Sequence, residues 1–398
     1  MATHDRRPSV GLIFSYAEAW IGGSYYLLNL IKALGALPDP ECPRLILYAE
    51  DPADFEIAQR ETAYPYLQFE QATRPLSWRH PLRLLNKISY RFNQKLLLPE
   101  HNPHKASEVC FPNPKGYFYE VLSPRYPIFW IPDFQEVHLP HFFSEEEIKF
   151  RYATHQRIAT QEKFVIFSSR DAQKDFQTLF PTSTVRSFVL NFAVSHPPYA
   201  HLDGAALRAK HGLEPGYFFA PNQFWQHKNQ RVILEALAAL KARGEGRIQV
   251  AFSGKMEDRR KPDYVPGLLA YVREQGLEEW VRFLGFLDRG EQLKLMSEAR
   301  AVVQPSLFEG WSTVVEDAKA MNQHLILSNL AVHREQRPAN ATFFDPKNAS
   351  SLADLLLQQA TNPPKKQIVD YSLDVLAFGR NFLSILQAIG GGSTISSQ

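Results

Sequence analysis

The sequence predicts an α/β protein with two Rossmann-like domains that face each other across a ligand-binding cleft. The chain has 398 residues, a length that accommodates two or three domains. Short apolar runs alternate with segments of helical periodicity, which is typical of parallel sheets covered by helices on both faces. This series begins near residue 10 and again near residue 217, and a stretch rich in proline and glycine separates the two halves.

The first domain is predicted at residues 1–196. An apolar run at residues 10–14 indicates a buried strand, and Gly22 and Gly23 follow in a short loop. Apolar residues at helical spacing then predict a helix over residues 26–34. Further strands are predicted at residues 44–49, 109–111, 128–131 and 164–167.

A connection between the domains is predicted at residues 197–215, because proline and glycine are frequent there. Strands and helices alternate again over residues 216–372, which we predict to be the second domain. A last helix is predicted at residues 373–388, and the Gly/Ser-rich tail 389–398 is predicted to be disordered.

Residues 74–105 differ in composition from the rest of the first domain. They hold seven Lys or Arg residues, interleaved with apolar ones, and Glu100 is their only acidic residue. Such a basic amphipathic segment can lie on an anionic membrane surface or face an anionic substrate. It can equally be a solvated helix face, so both interpretations stay open.

Composition excludes several classes of protein. The 44 basic and 42 acidic residues give a net charge of +2, which argues against nucleic-acid binding. The two cysteines, Cys42 and Cys110, lack metal-ligand spacing, so we expect no zinc or iron–sulfur site. No apolar run is long enough to span a membrane, and the polar N-terminus lacks the apolar core of a signal peptide. A cytoplasmic location is therefore expected.

The segment 301–316 combines the features of a ligand site. A strand predicted at residues 301–303 leads to Glu309 and Gly310, and a helix is predicted to begin near Ser312. The free N–H groups of a helix start suit a phosphate, and Glu316 in the first turn can accept hydrogen bonds from vicinal hydroxyls. Alone, Glu316 could simply complement the helix dipole and Ser312 could simply cap the helix. Their combination with Glu309 and Gly310 at a strand end predicts a site.

Several blocks of the sequence together resemble a known family. Besides residues 304–316, they are the segments 130–135, 221–229, 283–286, 327–335 and 343–346. In this order they are similar to the blocks of retaining nucleotide-sugar glycosyltransferases with the GT-B fold, the GT4 family of glycosyl transferases group 1. The resemblance covers residues 10 to about 387. It implies that the last helix crosses back to the first domain, which would bind the acceptor, while the second would bind the nucleotide sugar.

The resemblance also implies roles for individual residues. Glu309 would bind hydroxyls of the donor sugar, Lys228 would neutralise the diphosphate, and Glu316 would hold the ribose. Backbone amides from Gly310 through Trp311 and Ser312 to Thr313 would bind the diphosphate. Gly22 and Gly23 would let the first domain approach the phosphates. The loops around Ser253–Gly254 and Gly285–Phe286 would contact the base.

The sequence departs from the family pattern at three places. Many members have an arginine where this chain has Gln223, so another cation, among them Lys255, Arg259 and Arg260, would have to share the diphosphate charge. Six residues separate Glu309 from Glu316, whereas the family has seven between its two glutamates. Asp133 stands where the family often has an acceptor-side histidine. Asp133 is equally explained as an Asx-turn residue, and His138 is a second candidate.

The implied reaction is a metal-independent front-face displacement. The acceptor proton passes to the donor's own phosphate oxygen, so no side-chain nucleophile and no tightly bound cofactor are expected. The nucleotide sugar and a carbohydrate, lipid-linked or other hydroxyl acceptor are the expected partners, in polysaccharide, glycolipid or glycoconjugate synthesis. Two alternatives stay open, a sugar-nucleotide epimerase and a non-catalytic scaffold. An NAD-dependent dehydrogenase is excluded because no GxGxxG follows the first strand.

Overall fold

The computed structural model describes residues 7–16, 21–71, 85, 88–89, 109–112 and 126–390. The first domain contains the strands β1 (Ser9–Ile13), β2 (Arg44–Ala49), β3 (Leu67–Gln71), β4 (Val109–Phe111), β5 (Tyr126–Ile131), β6 (Phe164–Phe167) and β7 (Arg186–Val189). Its helices are α1 (Ile21–Gly35), α2 (Pro52–Thr62), α3 (Gln135–His138), α4 (Glu145–Gln161) and α5 (Arg170–Leu179). The strands form one parallel sheet in the order β3-β2-β1-β4-β5-β6-β7.

The second domain repeats this architecture. Its strands are β8 (Phe218–Pro221), β9 (Val250–Ser253), β10 (Val281–Phe283), β11 (Val302–Gln304), β12 (Leu325–Ser328) and β13 (Ala341–Phe344). Its helices are α6 (Gly204–Lys210), α7 (Gln230–Ala242), α8 (Tyr264–Glu274), α9 (Arg289–Glu298), α10 (Thr313–Ala320), α11 (Ala331–Glu335) and α12 (Ala349–Thr361). The parallel sheet has the order β10-β9-β8-β11-β12-β13.

The apolar strands of the chain explain why both sheets are covered by helices. The central strands of the second sheet, β8, β9, β11 and β12, are buried along their whole length, and two apolar clusters cover the two faces of that sheet. Such strands pack helices on both sides, so the predicted α/β fold with two Rossmann-like sheets is confirmed. In each sheet the strand order reverses beside the first strand, between β1 and β4 and between β8 and β11. Ligands of such folds bind at this switch point, outside the carboxyl ends of the strands.

The last helix, α13 (Ser372–Gly390), packs on the first domain. Its buried residues Phe378, Phe382 and Leu386 belong to the same apolar cluster as residues of α1 and β1. The helix is longer than the predicted 373–388, because Ile389 is also buried in this cluster. Residues 389 and 390 are thus helical rather than part of a disordered tail, and residues 391–398 lie outside the described part of the chain.

The predicted connection 197–215 is shorter in the structure. Residues 204–210 form α6, because the carboxylate of Asp203 caps the helix by accepting hydrogen bonds from the N–H groups of Ala205 (2.9 Å) and Ala206 (3.1 Å). Leu207 and Leu213 are buried in a cluster of the second domain. Most of the proline- and glycine-rich stretch therefore belongs to that domain.

The basic segment 74–105 lies outside the described residues except for positions 85, 88 and 89. The predicted membrane contact through this segment therefore stays a prediction. Within the described ranges, none of the helices combines the length and the apolar character that crossing a bilayer requires.

Candidate active site between the two domains

Lys228 and Glu309 form an ion pair at the switch point of the second sheet. Lys228 ends a 3₁₀ turn that follows β8, and Glu309 lies in the loop after the neighbouring strand β11. The Lys228 Nζ atom is 2.8 Å from Glu309 Oε1 and 2.9 Å from Oε2. Only 16% of the lysine side chain and 7% of the glutamate side chain are exposed. The pair thus sits where the topology predicts a ligand.

Glu309 is held by polar side chains from its own loop and strand. Its Oε1 atom accepts hydrogen bonds from Gln304 Nε2 (2.7 Å) and Ser306 Oγ (2.6 Å), besides that from Lys228. Gln304 is itself fixed, because its Oε1 atom accepts from Asn222 Nδ2 at 2.7 Å. Among the described residues, Oε2 has Lys228 as its hydrogen-bond partner. A carboxylate oxygen can accept more than one hydrogen bond, so Oε2 can also take a ligand hydroxyl.

Glu309 is ionised at neutral pH. Burial on its own would raise its pKa, but the ammonium of Lys228, the nearby His333 and the hydrogen bond from Ser306 together lower it below the usual value. A carboxylate in this state accepts hydrogen bonds only, which suits the binding of sugar hydroxyls.

The first residue of α10, Thr313, lies four residues after Glu309. Ser312 caps this helix, with its Oγ atom 3.5 Å from the N–H of Val315. The side chain of Gln336 spans the same turn, because its amide donates to the carbonyl of Ser312 at 2.9 Å. The backbone of residues 310–313 therefore leads into the positive end of a helix dipole, beside Lys228 and Glu309.

Gly310 and Trp311 contact the first domain. A Cβ atom on Gly310 would lie 2.5 Å from the carbonyl oxygen of Pro132 and 2.7 Å from Cβ of Asp133, so only glycine permits this approach. The indole N–H of Trp311 donates to the carbonyl of Phe192 at 3.0 Å. The loop after β11 is thus in direct contact with the residues that follow β5 and with the residues that follow β7, 190–196, which we call the connecting segment.

Asp133 is brought to the site, directly opposite Gly310. Its Oδ1 atom accepts from the N–H of Gln135 at 3.2 Å, which is the Asx-turn that the sequence also allowed. Burial raises the pKa of Asp133, and the charge of Glu309 raises it further. His138 forms a 2.7 Å hydrogen bond with Asp175, and its ring lies 5.2 Å from the ring of Phe308. Asp133 is therefore the better placed of the two acceptor-side candidates.

The side chain of Glu316 points toward Tyr371, the residue directly before α13, rather than toward α9. It is 1% exposed, and its carboxylate accepts hydrogen bonds from Lys319, from Gln336 (2.8 Å) and from the hydroxyl of Tyr371 (2.7 Å). Tyr371 in turn accepts from the N–H of Val194 in the connecting segment at 3.0 Å. Burial raises the pKa of Glu316. These contacts make Glu316 part of the link between α10 and the connecting segment.

The next residue, Asp317, was missed by the sequence interpretation. Its Oδ1 atom accepts from Arg289 at the start of α9 (2.6 Å) and is 3.0 Å from Nε2 of His196. The Arg289 guanidinium also lies 5.9 Å from the ring of Tyr25 on α1, so this cluster spans both domains. Burial alone would raise the pKa of Asp317, but Arg289 and His196 lower it. Seven residues separate Asp317 from Glu309, which is the family spacing that Glu316 lacks.

The remaining residues predicted for the donor site are Gly22, Gly23, Gln223 and Gly285, and they differ in their local structure. Gly22 and Gly23 lie in the first turn of α1 rather than in a loop before it, and the space beside Gly22 is open. Gly285 has a φ of +69° and its carbonyl accepts from the N–H of Gly254 at 2.8 Å, so the two base-side loops are joined. Gln223 uses its Oε1 atom to accept from the N–H of Lys255 at 2.9 Å.

The three surface cations proposed to compensate for Gln223 have other partners. Lys255 is 2.7 Å from Glu257, and Arg259 is 3.7 Å from the same carboxylate. The guanidinium of Arg260 lies 4.4 Å from the ring centre of Phe143 in the first domain. Lys228 is consequently the cation that contacts Glu309 in the described part of the chain.

Four of the buried polar atoms without a hydrogen-bond partner among the described residues lie at or after the carboxyl ends of strands. Gln135 Nε2 follows β5, Gln226 Oε1 follows β8, Ser253 Oγ ends β9 and His333 Nε2 follows β12. Buried polar groups are nearly always paired, so these atoms are candidates to bond a ligand. His, Cys, Asp and Glu side chains do not form a metal-binding group of three within the described ranges.

Comparison with known proteins extends this picture. The model of the family "Glycosyl transferases group 1" matches residues 205–372. Anabaena HepE, crystallised with UDP and glucose, is similar over 96% of this chain and 100% of its own, with 15% identity and a TM-score of 0.65. A Rickettsia africae glycosyltransferase (13% identity, 97% and 100% coverage, TM-score 0.63) and the Thermosynechococcus elongatus sucrose-phosphate synthase (17%, 98% and 96%, 0.60) are also similar.

No curated protein matches the sequence. The structural similarities at these identities establish a shared fold over nearly the whole chain. The chain therefore has the two-domain GT-B fold, and its residues 205–372 match the model of the glycosyl transferases group 1 family.

Proposed function

We propose that this protein transfers a sugar from a nucleotide-sugar donor to a hydroxyl acceptor with retention of the anomeric configuration. The observation that carries the proposal is the Lys228–Glu309 pair at the switch point of the second sheet, opposite Asp133 of the first domain. The family match of residues 205–372 supports the same activity. HepE binds UDP and UDP-glucose, so a uridine diphosphate sugar is the first donor to test.

In this proposal Lys228 and the start of α10 bind the diphosphate. A lysine ammonium and free helix amides both favour phosphate oxygens. Glu309 would receive a sugar hydroxyl at Oε2, since Oε1 already accepts from Gln304, Ser306 and Lys228. The negative charge that develops on the leaving diphosphate would then be stabilised by groups already in place.

We assign the ribose to Asp317 rather than to Glu316. Three side chains contact the carboxylate of Glu316 through both of its oxygens, whereas Arg289 and His196 contact Asp317 through Oδ1 alone, and Asp317 adjoins α9, after the loop with Gly285. Asp317 also has the seven-residue spacing of the family motif. With this assignment the sugar would lie at the carboxyl end of β11, the diphosphate at that of β8 and the nucleoside near that of β10.

Asp133 would orient the acceptor hydroxyl or the donor sugar. During transfer, a bond forms between the acceptor oxygen and the anomeric carbon while the bond from that carbon to the diphosphate breaks. The acceptor proton passes to the departing phosphate oxygen, so the step balances without a protein nucleophile. The resemblance supports a reaction that needs no metal ion, and a polysaccharide, glycolipid or glycoconjugate as product. A cytoplasmic protein with a peripheral membrane contact through residues 74–105 also remains a proposal.

A nucleotide panel tests the proposal. UDP-, GDP- and dTDP-sugars are added to the protein, and thermal shift and nucleotide release are recorded. We expect one base to stabilise the protein, and Lys228→Ala to abolish the shift, while Lys241→Ala in the last turn of α7, at the far end of that helix from Lys228, leaves the shift unchanged. If none of the nucleotides binds, the proposal is wrong. Binding without release on any acceptor would favour the non-catalytic scaffold.

A further inference from the structure

Glu335, the last residue of α11, reaches from the second domain to the first. Its carboxylate accepts hydrogen bonds from the backbone N–H of Arg170 (2.9 and 3.0 Å to the two oxygens) and of Asp171 (3.4 Å). It also accepts from the side-chain amide of Asn191 at 3.1 Å. Both carboxylate oxygens are therefore used in contacts between domains.

The contact has a clear electrostatic basis. Arg170 and Asp171 are the first residues of α5, and Ser169 caps that helix by accepting from the N–H of Ala172 at 3.1 Å. The two N–H groups before Ala172 have no intrahelical acceptor and lie at the positive end of the dipole. A carboxylate is the side chain that such a helix end binds best, and here the opposite domain supplies it.

The contact joins the two halves of the candidate site. On the first domain, α5 follows β6, which is hydrogen-bonded to β5, and Asp133 lies just after β5. On the second domain, Gln336 directly follows Glu335 and bonds both Ser312 and Glu316. If Glu335 moved away from α5, the distance between Asp133 and the loop 309–312 would therefore change as well.

We propose that Glu335 is a positioning residue, which holds the first domain in the orientation in which Asp133 contacts Gly310. The proposal rests on the proposed glycosyltransferase function. The side chains proposed to bind the nucleotide, Lys228 and Asp317, lie on the second domain, so Glu335 would affect turnover far more than nucleotide affinity. It also sets the distance between the domains, which can be measured without any substrate.

The test compares Glu335→Ala and Glu335→Gln with Arg334→Ala. Arg334 lies on the same helix, but its partners, Asn329 and Phe343, are both in the second domain, which makes it a matched control. Spin labels at Thr178→Cys and Lys365→Cys, both exposed, report the interdomain distance, since the native Cys42 and Cys110 are buried. UDP affinity, kcat and KM are measured on the same proteins without labels.

We expect Glu335→Ala to broaden and lengthen the distance distribution and to lower kcat about tenfold, the scale of losing charge-assisted hydrogen bonds. UDP affinity should stay within about twofold. Glu335→Gln keeps the size and one acceptor oxygen, so it should fall between Glu335→Ala and wild type and remain folded. Arg334→Ala should match wild type.

Two results would overturn the proposal. The first is an unchanged distance distribution and kcat in both Glu335 variants. The second is a loss of UDP affinity as large as the loss of kcat, which would indicate a structural role in the second domain. If wild-type protein binds no nucleotide, the proposed function fails, but the distance measurement still decides whether Glu335 holds the domains together.

Discussion

Gly310→Ala is the sharpest test of whether this arrangement of the two domains is the reactive one. Gly310 has no side chain to lose, and its φ is not in the left-handed region, so alanine is compatible with its backbone. The new Cβ would lie 2.5 Å from the carbonyl oxygen of Pro132, 2.7 Å from Cβ of Asp133 and 3.2 Å from the carbonyl carbon of Pro132. The substitution thus acts on one surface, where the second domain meets the first.

The size of the clash sets the expected effect. Carbon atoms in contact prefer about 3.5–4.0 Å, so the added methyl group would stand roughly 1 Å too close to Asp133. The neighbouring atoms are backbone or Cβ atoms and have no rotamer that moves them away. Overpacking of this kind costs about 1–3 kcal/mol, which corresponds to about a 5- to 150-fold loss of the closed arrangement. We expect kcat to fall within that range.

The assay measures kcat and the dissociation constant for UDP on the same preparation. Nucleotide affinity should stay within about twofold, because alanine keeps the backbone N–H of residue 310 and the other groups proposed to bind the nucleotide are unchanged. Gly267→Ala in α8 is the control, since a Cβ there meets nothing within 4 Å and alanine favours a helix. Wild-type kcat in Gly310→Ala would refute the reasoning, because the domains would then react without this close contact.

Three further predictions concern buried carboxylates. Lys228→Ala should lower the free energy of unfolding in urea by about 1.5–3 kcal/mol, because the buried Glu309 loses its ion pair and keeps only the neutral donors Gln304 and Ser306, and adding Glu309→Gln should restore part of that loss. Asp317→Ala should weaken UDP binding at least about tenfold and Glu316→Gln less than about twofold by calorimetry; the reverse order would return the ribose to Glu316. Because burial raises the pKa of Asp133, its ionisation destabilises the folded protein as pH rises through the interval above its usual value. Asp133→Asn should therefore melt higher than wild type at pH 7, and the difference should vanish well below pH about 4.

The fold could be predicted because it depends on patterns that are local in sequence. Apolar strands alternate with amphipathic helices in both halves, and such a series has few solutions besides two parallel sheets. The connection 197–215 was misjudged for a local reason as well. Its glycines are typical of a loop, but Asp203 directly before Gly204 caps a helix, and an aspartate is a cap that can be recognised in a sequence.

The candidate site could be predicted only in part, because side-chain direction and domain contacts are not local. Glu316 and Asp317 are adjacent on a helix, so their side chains point about 100° apart, and the sequence does not tell which of them faces α9. The contact of Gly310 with Pro132 and the cap that Glu335 provides to α5 depend on how the domains meet. Both contacts join residues that are far apart in sequence, so no sequence motif predicts them.

The absence of an arginine at position 223 is physically tolerable because Lys228 can change partners without leaving Glu309 unsatisfied. When a diphosphate attracts Lys228, Oε1 of Glu309 still accepts from Gln304 and Ser306, and Oε2 is free to accept from the sugar. A buried carboxylate that lost its sole partner would cost several kcal/mol, and donor binding would have to overcome that cost. Because the neutral donors around Glu309 are already in place, one lysine can serve the carboxylate before the donor binds and the diphosphate afterwards.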